Sequence, residues 1–445
     1  MPTGSLTPFE IEHARSIGDE RVTLAPIPPA KVAKILIGVV IRKSAQIVQA
    51  FLDMTAAQKL RRPTELSWYL ITDFGPTDAF AGETMQLLDD FAAKTPRVYL
   101  RHNVNAGDDF TDIGPTHQWS TQAWHRVGAL KNDIFQACLG GQYDGLWLLD
   151  ADVLCDPYTL QSLADCELPV VAGVYWTLWQ KPKPGSTEVI HAGPQVWLRH
   201  PYVLSGHGYS EPEFRKALVD RQLLRVWGLG ACTLFHRSAL EKGVHFTPVP
   251  EGLPPGPMSD GEDRHLCERA RRLHLPLFAD AWPDIWHCYH ADEIGAIAQW
   301  RARLSAEHPQ VPGFGDSVSV RLDLLESIPH PQNPGIIQQL GPQFWRGRLG
   351  TGALLPELEE AVAGLQSGDR QIVTLHYPGH YEYQTLASQQ RLVAVTLLDT
   401  KPYRVPPVVE QELFVGNHTG AWLDSTTLTA SQIDDVTETI AEGVA

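Results

Sequence analysis

The chain has 445 residues, a formal net charge of −16, 43% hydrophobic residues and 20% charged residues. That length holds one large domain or two to three ordinary ones, and the composition is that of a soluble globular protein. The acidity excludes a generally basic surface for phosphate backbones, though not a local basic groove.

In chain order, residues 1–33 are polar and proline-bearing (Ala25-Pro26-Ile27-Pro28-Pro29) and read as an N-terminal arm. With early acids and no apolar core, they do not read as a signal peptide. Residues 34–41 form a buried-type strand. They contain the longest apolar run, Ile35 to Ile41, which is too short to span a bilayer. Helical spacing follows over 42–60, then a strand over 66–73, a helix over 83–93 and a strand over 97–101. Alternation of this kind predicts a parallel sheet covered by helices. Residues 103–119, rich in Asn, Gly, Asp and Thr, read as a surface loop.

A helix over 121–139 leads into the strand Leu146-Trp147-Leu148-Leu149, which ends in Asp150-Ala151-Asp152. A short helix (157–164), a strand (169–176), an irregular stretch (180–224) and a strand (226–236) follow. A helix over 261–273, a short strand at 276–279 and the dense stretch Trp286-His287-Cys288-Tyr289-His290 complete this part. From about 303 Pro, Gly and Gln dominate, a short helix covers 355–365, and strands at 371–375 and 392–398 belong to a small β-rich module with an acidic tail. The expected organisation is an arm (1–33), an α/β domain (34–300), a Pro/Gly-rich helical connector (301–365) and a small α+β module with its tail (366–445).

Six cysteines without a C-x-x-C pair, several in apolar segments, suit reduced core thiols in a cytoplasmic protein. Two acids one residue apart at a strand end point the same way on extended backbone. Asp150 and Asp152 are therefore candidates to grip one divalent cation at the sheet edge where open α/β folds bind ligands; alone, so short a pattern is more often a strand end with acids in the next turn. Arg126 and Lys131 lie on neighbouring faces of the preceding helix, as phosphate or base contacts or as a solvated face. Asp73 is a candidate for ribose or base, or a turn initiator in Asp73-Phe74-Gly75-Pro76. Glu262 and Asp263 open a helix, as caps that complement its dipole or as a general base. His287 and His290 are candidate metal ligands or core histidines. Trp176, Trp179, Trp197 and Trp227 are sugar-stacking candidates or core filling.

The ordered combination is more specific than its parts. Leu148-Leu149-Asp150-Ala151-Asp152, Gly228-Leu229-Gly230-Ala231-Cys232-Thr233-Leu234-Phe235, Gly261-Glu262-Asp263 and the histidine at 287 resemble a GT-A-fold glycosyltransferase of the broad family-2-like kind, over roughly residues 34–292. The resemblance implies a Rossmann-like, mostly parallel sheet flanked by helices. It also implies transfer of a sugar from a nucleotide-diphosphate sugar (UDP- or GDP-linked) to a hydroxyl acceptor, of hexosyltransferase type and inverting. By that resemblance Asp150, Asp152 and His287 hold Mn²⁺ or Mg²⁺, with His290 in reserve. Arg42, Asp73, Arg126, Lys131 and Asp150 surround the nucleotide, and Asp263 is the base with Glu262 beside it. Trp176, Trp227, Gly228, Gly230 and His290 face sugar or acceptor.

The acceptor stays open between a glycan, a small molecule and a hydroxylated base in DNA; the last would use a local groove around Arg264, Arg269, Arg271 and Arg272. A nucleotidyltransferase is disfavoured because no glycine cluster follows the first strand, where Val39-Val40-Ile41-Arg42-Lys43-Ser44 stands. A non-catalytic sugar- or nucleic-acid-binding protein on the same fold is the remaining alternative.

Overall fold

The computed structural model describes residues 22–24, 33–60, 63–103, 106–107, 110–113, 116–180, 189–197, 214, 217–218, 221–250, 252–253, 261–295, 297–298, 312, 316–325, 328–330, 333–338, 343–349, 355–377 and 388–401. The chain forms two compact units, one built on 30–219 and 224–305, the other on 306–404 with 1–29 and 220–223.

The larger unit is α/β. Its elements are β1 (Ala33–Ile41), α1 (Ala45–Ala56), β2 (Thr64–Thr72), α2 (Ala81–Lys94), β3 (Val98–His102), α3 (Thr121–Gly140), β4 (Gly145–Asp150), β5 (Val153–Cys155), α4 (Thr159–Asp165), β6 (Val170–Gly173), β7 (Leu223–Val226), β8 (Thr233–His236), α5 (Arg237–Glu241), α6 (Glu262–Arg272), β9 (Leu277–Asp280) and β10 (Ile285–His287). Eight of these strands form one sheet in the order β7-β9-β6-β8-β4-β1-β2-β3. Strands β4, β1, β2 and β3 run parallel, as do β9 and β6. Strand β8 lies antiparallel between β4 and β6. The central strands are buried on both faces: Ile37, Val39, Leu146, Trp147 and Leu149 have no exposed surface. Such runs can be apolar throughout because helices cover both sides.

Several elements differ from what the sequence predicts. The stretch 226–236 is not one strand. Cys232 adopts φ +63°, and the chain splits into Gly228–Leu229, paired with Val196–Trp197, and the separate β8. The loop expected over 103–119 contains a hairpin, Phe110–Ile113 with Thr116–Trp119; its polar residues carry no alternating apolar signal.

The smaller unit holds a five-stranded antiparallel sheet: Val22–Leu24, β13 (Arg370–His376), β14 (Gln390–Lys401), β11 (Ser317–Leu324) and β12 (Gln343–Arg348), in that spatial order. Helix α7 (Pro356–Val362) packs Leu358 and Val362 into an apolar cluster with Val318, Val320, Leu375, Val393 and Val395. The helical connector expected over 301–365 is therefore corrected: β11 and β12 fall inside it, because alternating Ser317-Val318-Ser319-Val320 is strand chemistry. The described part of the N-terminal arm is an edge strand of this sheet. The acidic tail beyond 401 lies outside the described residues. Among the described residues no helix is long and apolar enough to cross a membrane.

Candidate active site

Chemistry-bearing side chains collect where the parallel strands end. Arg42 follows β1, Asp73 follows β2 and Asp150 ends β4. The chain then turns at Ala151 and Asp152 rather than continuing extended. The two acids have different ion-pair partners, while Asp152 and His287 both lie near enough to act on the charge of Asp150. Asp150 Oδ1 faces the Lys131 ammonium at 3.4 Å. Asp152 Oδ2 meets Lys43 Nζ at 2.9 Å and His287 Nε2 at 3.4 Å.

Strand pairing explains how residues 152 and 287 meet. Strand β5 runs antiparallel to β10 with Val153 opposite His287, and the Cys288 amide donates to the Asp152 carbonyl at 2.7 Å. The imidazole packs against Tyr289 and Tyr175, at ring-centroid distances of 4.3 and 5.3 Å. Its Nδ1 lies 3.4 Å from Thr177 Oγ1, and that hydroxyl accepts from Gln195 Nε2 at 2.8 Å. Such outer partners orient a ring whose other nitrogen is a ligand.

Lys131 forms the second focus. Its side chain is 1% exposed and its ammonium contacts Glu262 at 3.0 Å, Asp150 at 3.4 Å and Asp263 at 3.7 Å. Helix α6 passes close to α3 at Gly128, one turn before Lys131. A Cβ there would stand 3.3 Å from the Cβ atoms of Glu262 and Phe246. Glu262 and Asp263 occupy the first turn of α6, where free backbone N–H groups favour negative charge.

Electrostatics follow from crowding. Burial pulls the Lys131 ammonium down, but Asp150, Asp263 and Glu262 together hold it well above its ordinary value. Burial pushes the Asp263 carboxyl up to about 7; Lys131 opposes the shift, while Glu262 and Asp150 add to it. Although 40% of its side chain is exposed, Asp150 is also raised, first by loss of solvent within the cleft, against Lys131 and with Asp152 and Glu262. The Tyr175 hydroxyl is raised well above its usual range by burial and by the charges of Asp150, Asp263 and Asp152.

The remaining expected nucleotide contacts are held by protein partners. Asp73, 1% exposed, receives both a bidentate Arg126 guanidinium at 3.0 Å and the Asn103 side-chain amide at 2.6 Å. Arg42 binds Asp78 at 2.9 Å and the Gly107 carbonyl at 3.0 Å. Trp176 is buried. Trp227 is half-buried with Arg271 5.8 Å from its ring. Gly228 lies under Trp197, where a Cβ would come within 2.0 Å of the indole. The Gly230 amide donates to the Gln195 carbonyl at 2.9 Å. His290, exposed, begins a single 3₁₀ turn whose Glu293 accepts its amide.

Three of the four α6 arginines, Arg269, Arg271 and Arg272, donate to protein acceptors. Arg269 donates to the His245 and Thr247 carbonyls, and Arg271 and Arg272 bind Glu268. The side chain of Trp179 lies outside the described residues. Sequence reading missed Lys43; a lysine two residues after a buried strand at the ligand edge of the sheet was the available signal.

Among the described residues, no group of three or more His, Cys, Asp or Glu side chains converges to hold a metal by itself. The donor set still fits a magnesium- or manganese-type ion. Such ions take one or two carboxylates and complete their shell with substrate phosphates and water. Asp150, Asp152, Glu262 and Asp263 gather around the ammonium groups of Lys43 and Lys131, an oxygen-rich donor set of the kind hard divalent ions take.

No family model and no curated protein matches the chain. Solved structures give distant matches. TarS 1–349 from S. aureus is 11% identical at TM-score 0.33, covering 57% of this chain and 60% of that one; the same fragment in complex with UDP gives the same values. Mannosyltransferase PcManGT from Pyrobaculum calidifontis, in complex with GDP-Man and Mn²⁺, is 13% identical at TM-score 0.31, covering 61% and 64%. The chain thus spans about three-fifths of the length of these proteins. Likeness at these TM-scores establishes neither fold family nor activity.

Proposed function

We propose that the larger unit is a GT-A-type glycosyltransferase. It moves a sugar from a UDP- or GDP-sugar to a hydroxyl acceptor, with inversion, as a hexosyltransferase acting in the cytoplasm. The observation that carries this reading is the meeting of Asp152 and His287 at the strand ends, beside a second acid pair, Glu262 and Asp263, fixed by one buried lysine. A donor diphosphate needs the first group, and an attacking hydroxyl needs the second.

In this reading Asp152 and His287 are the protein ligands of Mn²⁺ or Mg²⁺, with Asp150 beside them. A divalent ion held by these residues would supply charge to stabilise a departing diphosphate. Asp263 takes the acceptor proton: a carboxyl raised to about 7 is matched to that task near neutral pH. Lys131 fixes the base pair relative to Asp150. Arg126 and Asp73 set the wall of the nucleoside side, and Arg42 anchors the loop after β1. Trp197 on Gly228 and the half-buried Trp227 offer aromatic faces to a sugar.

The test is a donor screen. UDP-, GDP-, dTDP- and CMP-sugars are mixed with the protein and Mn²⁺ or Mg²⁺, and nucleotide release and thermal shift are measured. One nucleoside diphosphate should stabilise the protein only with metal, and Asp152→Ala should remove the effect. Asp263→Asn should abolish transfer and leave nucleotide binding nearly intact. If no nucleotide stabilises the protein with either metal, the reading fails.

A further inference from the structure

We propose that Tyr175 is a specificity-determining contact whose hydroxyl binds a ring hydroxyl of the transferred sugar. This deepens the glycosyltransferase reading and rests on it. The observation is a buried phenol set among the acids of the site with no protein partner for its oxygen. Tyr175 is 4% exposed, and no described residue hydrogen-bonds its hydroxyl. A buried tyrosine hydroxyl ordinarily finds a partner, because leaving it unpaired costs free energy.

The fold brings Tyr175 to this place. Strands β4 and β6 are both antiparallel to β8, so they run in the same direction and end at one edge of the sheet. Tyr175 follows β6 by two residues, as Asp152 follows β4. Its ring stands edge-on to His287 at 5.3 Å. Gly230 makes room for the hydroxyl, since a Cβ there would lie 3.0 Å from the oxygen. Gln195 ties the two backbones together: its amide donates to the Tyr175 carbonyl and its carbonyl accepts from the Gly230 amide, each at 2.9 Å.

The charges of Asp150, Asp263 and Asp152 all act on the hydroxyl, Asp150 most strongly. In an in-line displacement the diphosphate leaves from one side of the reacting carbon and the acceptor attacks from the other. In this reading Asp152 belongs to the first side and Asp263 to the second. A group within reach of both borders the sugar between them. A neutral phenol both donates and accepts, which suits a sugar hydroxyl. A site built to hydrogen-bond a hydroxyl discriminates against an analogue that lacks it. Tyr175 thereby selects on the sugar and not on the nucleotide.

The experiment uses the full chain with Mn²⁺. Calorimetry gives the affinities of UDP, GDP, UDP-glucose, UDP-N-acetylglucosamine and GDP-mannose for wild type, Tyr175→Phe and Gly230→Ala, beside an unfolding midpoint for each ligand-free protein. Tyr175→Phe should weaken at least one nucleotide sugar about three- to tenfold, the scale of one neutral hydrogen bond, and leave its parent nucleotide unchanged. Among deoxy forms of that nucleotide sugar, one should bind wild type and Tyr175→Phe equally. The unfolding midpoint of Tyr175→Phe should stay at or above that of wild type, since the hydroxyl has no protein bond to lose. Gly230→Ala, which pushes the hydroxyl aside, should reproduce the sugar-specific loss and carries the test if Tyr175→Phe fails to fold. Equal loss of nucleotide and nucleotide sugar, loss of neither, or a lowered midpoint in Tyr175→Phe overturns the role of Tyr175 alone. A wild type that binds none of these ligands overturns the donor-site reading and this inference with it.

Discussion

Lys131 Nζ lies 3.0 Å from Glu262 Oε1, a contact between the middle of α3 and the first residue of α6. With Asp150 and Asp263 also within 3.7 Å, one ammonium joins the end of a central strand to the start of a helix. The two carboxylate groups of the candidate site are thereby held in one frame.

Replacing that ammonium with an apolar group of similar length leaves three carboxylates facing one another. Lys131→Met should destabilise the protein by about 3–5 kcal/mol, the range for removing one partner of a buried ion pair. The double variant Lys131→Met/Glu262→Gln should recover part of that loss, because one unopposed charge is gone. Urea unfolding of the three proteins checks this; a loss below about 1 kcal/mol in Lys131→Met would show that the cluster does not hold the fold.

Arg126 and Asp73 make a comparable claim on the nucleoside side. Asp73 is buried and accepts from Arg126 through both oxygens. Arg126→Met should cost about 3 kcal/mol as well as weakening nucleotide binding. An unchanged unfolding midpoint with weakened binding would instead make Arg126 a pure ligand contact.

The central fold is written in the sequence at its buried strands. The runs around Ile37, Leu148 and Val171 are apolar throughout because both faces are covered. The reversal of β8 is not written there, since a doubly buried strand has the same composition in either direction. Neither is the left-handed turn at Cys232, which a β-prone cysteine does not announce. For the site, Asp150, Asp152, Asp263 and His287 stand out by residue type and order. Their partners do not: Arg126 and Lys131 are five residues apart on one helix, yet one binds Asp73 and the other binds residues 262 and 263. Those contacts depend on how α3 packs against the strand ends and against α6, which no local pattern encodes.

Gly228 tests the aromatic side. An added methyl would fall 2.0–2.3 Å from the Trp197 indole, so the ring has to leave the Gly228 backbone. Trp197 is only half-buried and has room to move, which keeps the expected cost of Gly228→Ala at about 1–3 kcal/mol. Its tryptophan fluorescence should change, and acceptor affinity should fall more than donor affinity. Unaltered fluorescence and stability would contradict the packing.

The acid cluster also gives a pH dependence with a defined sign in the metal-free protein. Asp263 is raised to about 7 in the folded state, against about 3.9 for an unperturbed aspartate. Between those values the folded protein holds a proton that the unfolded chain has released. Folded molecules therefore bind more protons, and stability falls as pH rises through the window. The contribution is fully present below about pH 4 and is lost by about pH 7, at no more than about 1.4 kcal/mol per pH unit for one group. Asp150, raised in the same direction, adds to the slope. Denaturant unfolding from pH 5 to 8 should thus show stability declining toward neutral pH. Asp263→Asn, which cannot ionise, should flatten the curve between pH 5 and 7. A divalent cation that satisfies the carboxylates should flatten it as well, by stabilising the ionised forms. A wild-type curve that rises from pH 5 to 7, with no change in Asp263→Asn, would mean that Asp263 is ionised throughout and is held by Lys131 as a simple ion pair.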